Sequence, residues 1–129
     1  RVTSVIPVFL AMLRAGRRIG GVLLDDGTWI DLGTPSSYLE AHSILHRKNY
    51  QLSFALANSL QPISGSARVG AACSGFVSVG RNCFCEEGSS LENTVVWDNA
   101  QIPSDARLKS CVVQSGTKVD PGTYQDVIL

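Results

Sequence analysis

The sequence has little charge and no excess of either sign. Eleven Lys and Arg stand against eleven Asp and Glu in 129 residues, so the formal net charge is zero. A free-standing nucleic-acid binder needs a basic excess to neutralise phosphates, so nucleic acid is excluded as a partner. No run of about 18 consecutive apolar residues is present, which excludes a membrane-spanning helix. No long apolar run follows Arg1, so no signal peptide is read, and the chain is expected to be cytoplasmic. No Met begins the sequence, which points to a fragment or a processed product. Cysteine is sparse. Cys73, Cys83, Cys85 and Cys111 show no C-x-x-C spacing and offer no recognisable zinc set. Four Cys allow two disulfides, but with nothing pointing to secretion the reading is of buried, small, apolar side chains.

What is present is a globular composition, 44% apolar and 17% charged. The length supports one domain, or one and a half. The chain changes character near residue 62. Before it, periodicity is helical. Ser4 is placed to cap a helix over 5–15, with Ile6, Phe9, Leu10 and Leu13 on one stripe and Gly16 at its end. Two strand-like runs follow, Val22–Leu24 and Trp29–Leu32, around the turn sequence Asp25-Asp26-Gly27-Thr28. Thr34 then caps a second helix with Pro35 in its first position, and Tyr38, Ala41 and Leu45 share a face. That helix fades near Arg47–Asn49. Residues 51–62 read as a linker, with Gln51–Leu60 either a short helix or irregular. His42 and His46 are spaced i, i+4, which permits a helical metal site, but a solvated helix face is the better reading.

From Ile63 the period is six. Small or apolar residues pair across one intervening position at Val77/Val79, Cys83/Cys85 and Ser89/Leu91, then at Thr94/Val96, Ala100/Ile102 and Ala106/Leu108, then at Cys111/Val113 and Thr117/Val119. Between these runs the step shortens to five, so Leu91–Val96 aligns with Leu108–Val113 at an offset of 17. Turn residues separate the pairs, among them Asn82, Gly88, Asn93, Asn99 and Gly116. Residues i and i+2 of a strand face the same way. The larger member of each pair therefore fills a core, the smaller sits near a corner, and turn residues swing the chain to the next side. Three sides close a triangular coil, and stacked coils pair as parallel strands. The expected fold is mainly β: a hexapeptide parallel β-helix of about three coils over 63–129. A β-sandwich is the alternative, but it predicts no strict six-residue phase. A solenoid needs covered ends. The helical half is expected to cover the first coil, and Thr123–Leu129 to cover or extend the last.

Gly27-Thr28-Trp29-Ile30-Asp31-Leu32-Gly33-Thr34-Pro35, leading into Tyr38-Leu39-Glu40-Ala41, resembles a signature of sugar-1-phosphate nucleotidyltransferases. The Val95-Val96-Trp97-Asp98-Asn99-Ala100 coil resembles the hexapeptide β-helix that often follows it. The order of parts fits over nearly the whole chain, and mannose-1-phosphate guanylyltransferase-like enzymes are the nearest subgroup. The resemblance implies a left-handed helix, although the general crossover rule favours right-handed connections. It also implies that residues 1–50 are the end of an α/β catalytic domain. In that family a hexose 1-phosphate oxygen attacks the α-phosphorus of a nucleoside triphosphate. The α–β bridging bond breaks and pyrophosphate leaves, with Mg²⁺ neutralising charge. Asp31 matches a family carboxylate that helps hold the metal in a complete enzyme; otherwise it is a turn or capping carboxylate. Trp29 is expected to pack rather than bind. Ser36 stands where the family commonly has an acidic residue.

The family's Gly-rich nucleotide loop, its upstream acidic ligand and most of its nucleotide-binding sheet have no counterpart here, and Gly20-Gly21 followed by Val22 is no substitute. The expected reading is a C-terminal piece that does not catalyse nucleotidyl transfer alone, holds no cofactor itself, and meets sugar phosphate and nucleoside triphosphate only with the missing half. Its own role would be assembly as a homo-oligomer, dimer or trimer, through the β-helix, or a regulatory surface. A hexapeptide acyltransferase is the first alternative, disfavoured because no His lies in 63–129. A stand-alone assembly or binding module is the second.

Overall fold

The computed structural model describes residues 4–23, 29–47 and 61–129. Two helices precede a parallel β-solenoid of eight short strands. The expected turn at Asp25–Thr28, Leu24, Asn49 and the segment Gln51–Leu60 lie outside the described residues.

Helix α1 spans Ile6–Arg14. Its cap position is Val5, one residue later than expected, although the Ser4 hydroxyl still accepts the Ile6 N–H at 3.2 Å. Its end is a Schellman closure. Gly16 adopts φ +68°, its N–H donates to Leu13 O, and Arg17 N–H reaches back to Met12 O. The stripe of Ile6, Phe9, Leu10 and Leu13 stays exposed, and no α1 residue is buried. Trp29–Leu32 forms no strand, and neither do Val22 and Leu23. A two- or four-residue run has no stability without a neighbour to pair with, and no strand of the described residues pairs with either run. The described part of 1–50 is therefore helical rather than α/β.

Helix α2 spans Pro35–His46. Thr34 is its N-cap in a reciprocal box with Ser37: Thr34 Oγ1 accepts the Ser37 N–H at 3.1 Å, and Ser37 Oγ accepts the Thr34 N–H at 3.1 Å. Ser36 Oγ lies 3.0 Å from Thr34 Oγ1, so its hydroxyl is absorbed into the cap. Leu39 and Ala41 are the buried positions of this helix.

The strands are β1 (Arg68–Val69), β2 (Ala72–Val79), β3 (Phe84–Cys85), β4 (Ser90–Val96), β5 (Gln101–Ile102), β6 (Ala106–Lys109), β7 (Val112–Val113) and β8 (Gly122–Gln125). All pairings are parallel. β1, β3 and β5 stack in that order, while β2, β4, β6 and β8 form a second stack and β7 joins β4. Leu91 pairs with Leu108, Val95 with Val112 and Val96 with Val113, so the sequence offset of 17 is the register of successive coils. Of the paired positions read from the sequence, every one is buried except Thr117, which is half-buried in the last coil. Leu91, Ile102 and Leu108 are the largest fully buried side chains. Each contributes about 1.5–3 kcal/mol by leaving water. The buried hydroxyls are satisfied: Ser89 Oγ donates to Glu86 O at 2.6 Å, and Thr94 Oγ1 to Glu92 O at 2.8 Å.

Corners explain the turn residues. One column of left-handed residues runs Gly75, Asn93, Ser110, Asp126, and another runs Asn82, Asn99, Gly116. Asn tolerates this conformation because its short amide bonds locally; Asn82 Nδ2 donates to Asn99 Oδ1 at 3.4 Å. β2 rounds its corner at Gly75, where its register against β4 shifts. The tail extends the solenoid rather than lying over it: β8 pairs with β6, and Ile128 bridges to Val112.

Two expectations are corrected. All four cysteines are free, and Cys83, Cys85 and Cys111 are buried, but Cys73 is exposed. It belongs to the first coil, where Ala72 and Ser74 are exposed beside it. Among the described residues, neither helix is found over that coil's end. α2 lies against the side formed by β2 and β4. The cause is Val95 and Val112, which point outward from that side yet are 2% and 4% exposed because Leu39 packs over them.

Candidate functional site

The junction between α2 and the solenoid brings Tyr38, His42, Trp97 and Asp98 to one place. Leu39 and Tyr38 anchor the helix on Val95, Val112 and Phe76. One residue past β4 the chain turns a corner, and Trp97 and Asp98 project there. Trp97 Nε1 donates to the Tyr38 hydroxyl oxygen at 3.0 Å across 59 positions of sequence. The two rings are perpendicular, at 80° with centroids 6.3 Å apart, and Tyr38 also meets the His42 ring edge-on at 4.7 Å. Together with Ser78 and Ser115 these groups line an open cleft of about 370 Å³.

His42 is half-buried in this cleft while His46, one turn on, is exposed. The pair is therefore not the solvated face expected from spacing. Burial holds the His42 pKa below its ordinary value, so the ring is neutral near pH 7. Asp98 is committed to the corner. Its Oδ1 accepts the Arg81 backbone N–H at 2.7 Å and its Oδ2 accepts Arg81 Nη2 at 2.9 Å. These bonds from Arg81 hold the Asp98 carboxyl below the usual carboxylate range. A carboxylate with a lowered folded pKa stabilises the fold above its unfolded pKa, near 3.9, and that contribution is lost as pH falls through the lower folded value. Thermal unfolding followed by circular dichroism from about pH 6 down to about pH 2.5 should show the midpoint falling at the acid end. Asp98→Asn should flatten that acid limb while unfolding earlier near neutrality. An unchanged acid limb would assign the loss to other carboxylates.

The residues named by sequence fall elsewhere. Asp31 is exposed, and its Oδ1 accepts the Gly33 N–H at 2.9 Å, an Asx turn that sets up the Thr34 cap. Its local role is that of a turn carboxylate. Among the described residues no group of three His, Cys, Asp or Glu is placed to hold a metal ion. Trp29 does not pack as expected: it is 84% exposed. The buried thiols offer no nucleophile, since burial pushes Cys85 up to about 12 and raises Cys83 and Cys111. No helix among the described residues is long and apolar enough to cross a membrane.

Sequence reasoning missed Tyr38 as the partner of Trp97 and His42 as the neighbour of Tyr38. A signal was present in the Val95-Val96 and Val112-Val113 dipeptides, which put apolar side chains on both faces of a strand and so require an outer cover. Comparison of the chain with family models, with curated proteins and with solved structures finds no match, and the site's geometry stands on its own.

Proposed function

We propose that this chain is the C-terminal part of a cytoplasmic sugar-1-phosphate nucleotidyltransferase, in which the β-solenoid serves assembly or regulation and carries no catalysis of its own. The observation that supports this most is the meeting of the two segments on which the resemblance rests. Thr34–Leu39 and Val95–Asp98 are distant in sequence, yet they form one junction through the Trp97–Tyr38 hydrogen bond and the packing of Leu39 on Val95. A helix so fixed transmits the position of whatever precedes it to the solenoid. Mg²⁺ and the nucleotide would be bound with residues outside this chain, and Asp31 would be one ligand among them.

The sides of the solenoid are regular surfaces, suited to the roughly 1,200–2,000 Å² that a stable protein interface buries. Sedimentation equilibrium of the 129-residue chain at several concentrations should give a dimer or trimer. A strict monomer would overturn assembly as the role of these coils. The same preparation, mixed with GTP, mannose 1-phosphate and Mg²⁺, should release no pyrophosphate, and release would overturn the reading of a non-catalytic piece. Turnover of acetyl-CoA would replace it with acyl transfer.

A further inference from the structure

We propose that the cleft between α2 and the solenoid corner is a binding site for a neutral pyranose sugar, held against Trp97 with its hydroxyls on Tyr38, His42 and the two serines. The inference stands on this cleft and goes beyond the assembly role.

The hydrogen bond between Trp97 and Tyr38 sets the polarity of the cleft. An indole N–H is a donor only. The Tyr38 oxygen therefore accepts, and its own proton is left to donate elsewhere. Among the described residues this is the only hydrogen bond that the Tyr38 hydroxyl makes. Trp97 is 41% exposed although it is tied at one edge, so it offers apolar surface held in one orientation. His42 is neutral there, with one ring nitrogen to donate and one to accept. Ser78 and Ser115 add groups that both donate and accept.

Shape and charge select the ligand class. The Tyr38 and Trp97 rings stand at 80°, so they form no parallel slot for a flat base to enter between. A single apolar surface rimmed by donors and acceptors suits a saturated ring with hydroxyls at its edge. The volume of about 370 Å³ holds one or two such rings. Asp98 is the one acidic side chain among the described lining residues, and its charge is met by Arg81. Among the described lining residues no unpaired charge is left to attract a phosphate or a cation.

Methyl α-D-mannopyranoside is the probe. The measurement is tryptophan fluorescence in a Trp29→Phe background, where Trp97 is the sole reporter. Saturable change is expected with a roughly millimolar Kd, as fits a dozen heavy atoms on an open surface. Tyr38→Phe keeps the ring and its packing and should weaken binding roughly tenfold. Its circular dichroism spectrum and unfolding midpoint check that the fold persists. Absence of a saturable response up to roughly 100 mM, well beyond that Kd, would overturn the proposal. So would equal binding by the Tyr38→Phe variant. Tighter binding of mannose 1-phosphate than of the methyl glycoside would overturn the neutral-ligand assignment.

Discussion

Ile102→Asp is expected to abolish the cooperative unfolding transition of the coils. Ile102 is 1% exposed and pairs with Cys85 of the coil before it. It belongs to the same buried cluster as Leu91, Leu108 and Val119. Removing a buried isoleucine side chain from a packed core costs about 2–5 kcal/mol. A carboxyl group in its place meets no donor. It either carries an unpaired charge or takes up a proton at the expense of several kcal/mol more. The sum is comparable with the roughly 5–15 kcal/mol that stabilises a whole domain. In a solenoid the damage spreads, because each coil rests only on its neighbours. α2 should lose its order as well, since its buried Leu39 packs on the same coils. Gln101→Asp is the control. Gln101 is exposed, one position away on the outer face of the same strand. It should change stability by no more than about 0.5 kcal/mol. Circular dichroism melts of the two variants test the facing of β5 directly. A folded Ile102→Asp with an unfolded Gln101→Asp would reverse it.

The contrast between those adjacent positions shows why the solenoid was legible in the sequence. Each coil presents the same environment to residues 17 apart, so burial is written repeatedly, as in Leu91 over Leu108 and Val96 over Val113. The corners were legible for the same reason, through the turn residues Asn82, Asn93 and Asn99, each of which adopts positive φ. The junction was not. It happens once, so no repetition marks it, and Trp97 reaches Tyr38 across sequence that carries no local sign of the contact. The doubled valines at 95–96 and 112–113 said that something covers the outer face without saying what. Trp29–Leu32 had strand chemistry, but strand structure depends on a partner, and β-propensity alone does not supply one. Asp31 has the chemistry of a metal ligand, and among the described residues its carboxylate holds a turn. A carboxylate's role is set by what converges on it, which is a property of the fold rather than of the segment.

Gly80→Ala should lower the unfolding midpoint by roughly 10–20 °C, the consequence of about 2–3 kcal/mol in a domain of this size. Gly80 lies at the corner just past β2, and its N–H donates to Val96 O at 2.8 Å. A Cβ there would stand 2.7 Å from the Asp98 backbone nitrogen and 3.0 Å from the Trp97 carbonyl carbon. These are backbone atoms of the next coil, so no side-chain rotation relieves the contact. Nor are the coils free to separate, because parallel strands hold their spacing of about 4.8 Å through hydrogen bonds on either side. The corner must deform, and overpacking of this kind costs about 1–3 kcal/mol. Further loss follows from disturbing the Asp98 bonds to Arg81. Gly65→Ala separates this contact from the general effect of replacing glycine. Nothing lies within 4 Å of a Cβ at Gly65, and it is not in the left-handed region. That substitution should therefore be neutral or stabilise by about 0.4–1 kcal/mol. The two residues that a Cβ at Gly80 would push, Trp97 and Asp98, also line the cleft beside α2. Sugar affinity should consequently fall in Gly80→Ala even at temperatures where the variant is fully folded, and remain unchanged in Gly65→Ala. If Gly80→Ala melts with the parent protein, the corner relaxes more freely than packed backbone allows, and the rigidity assigned to the cleft fails with it.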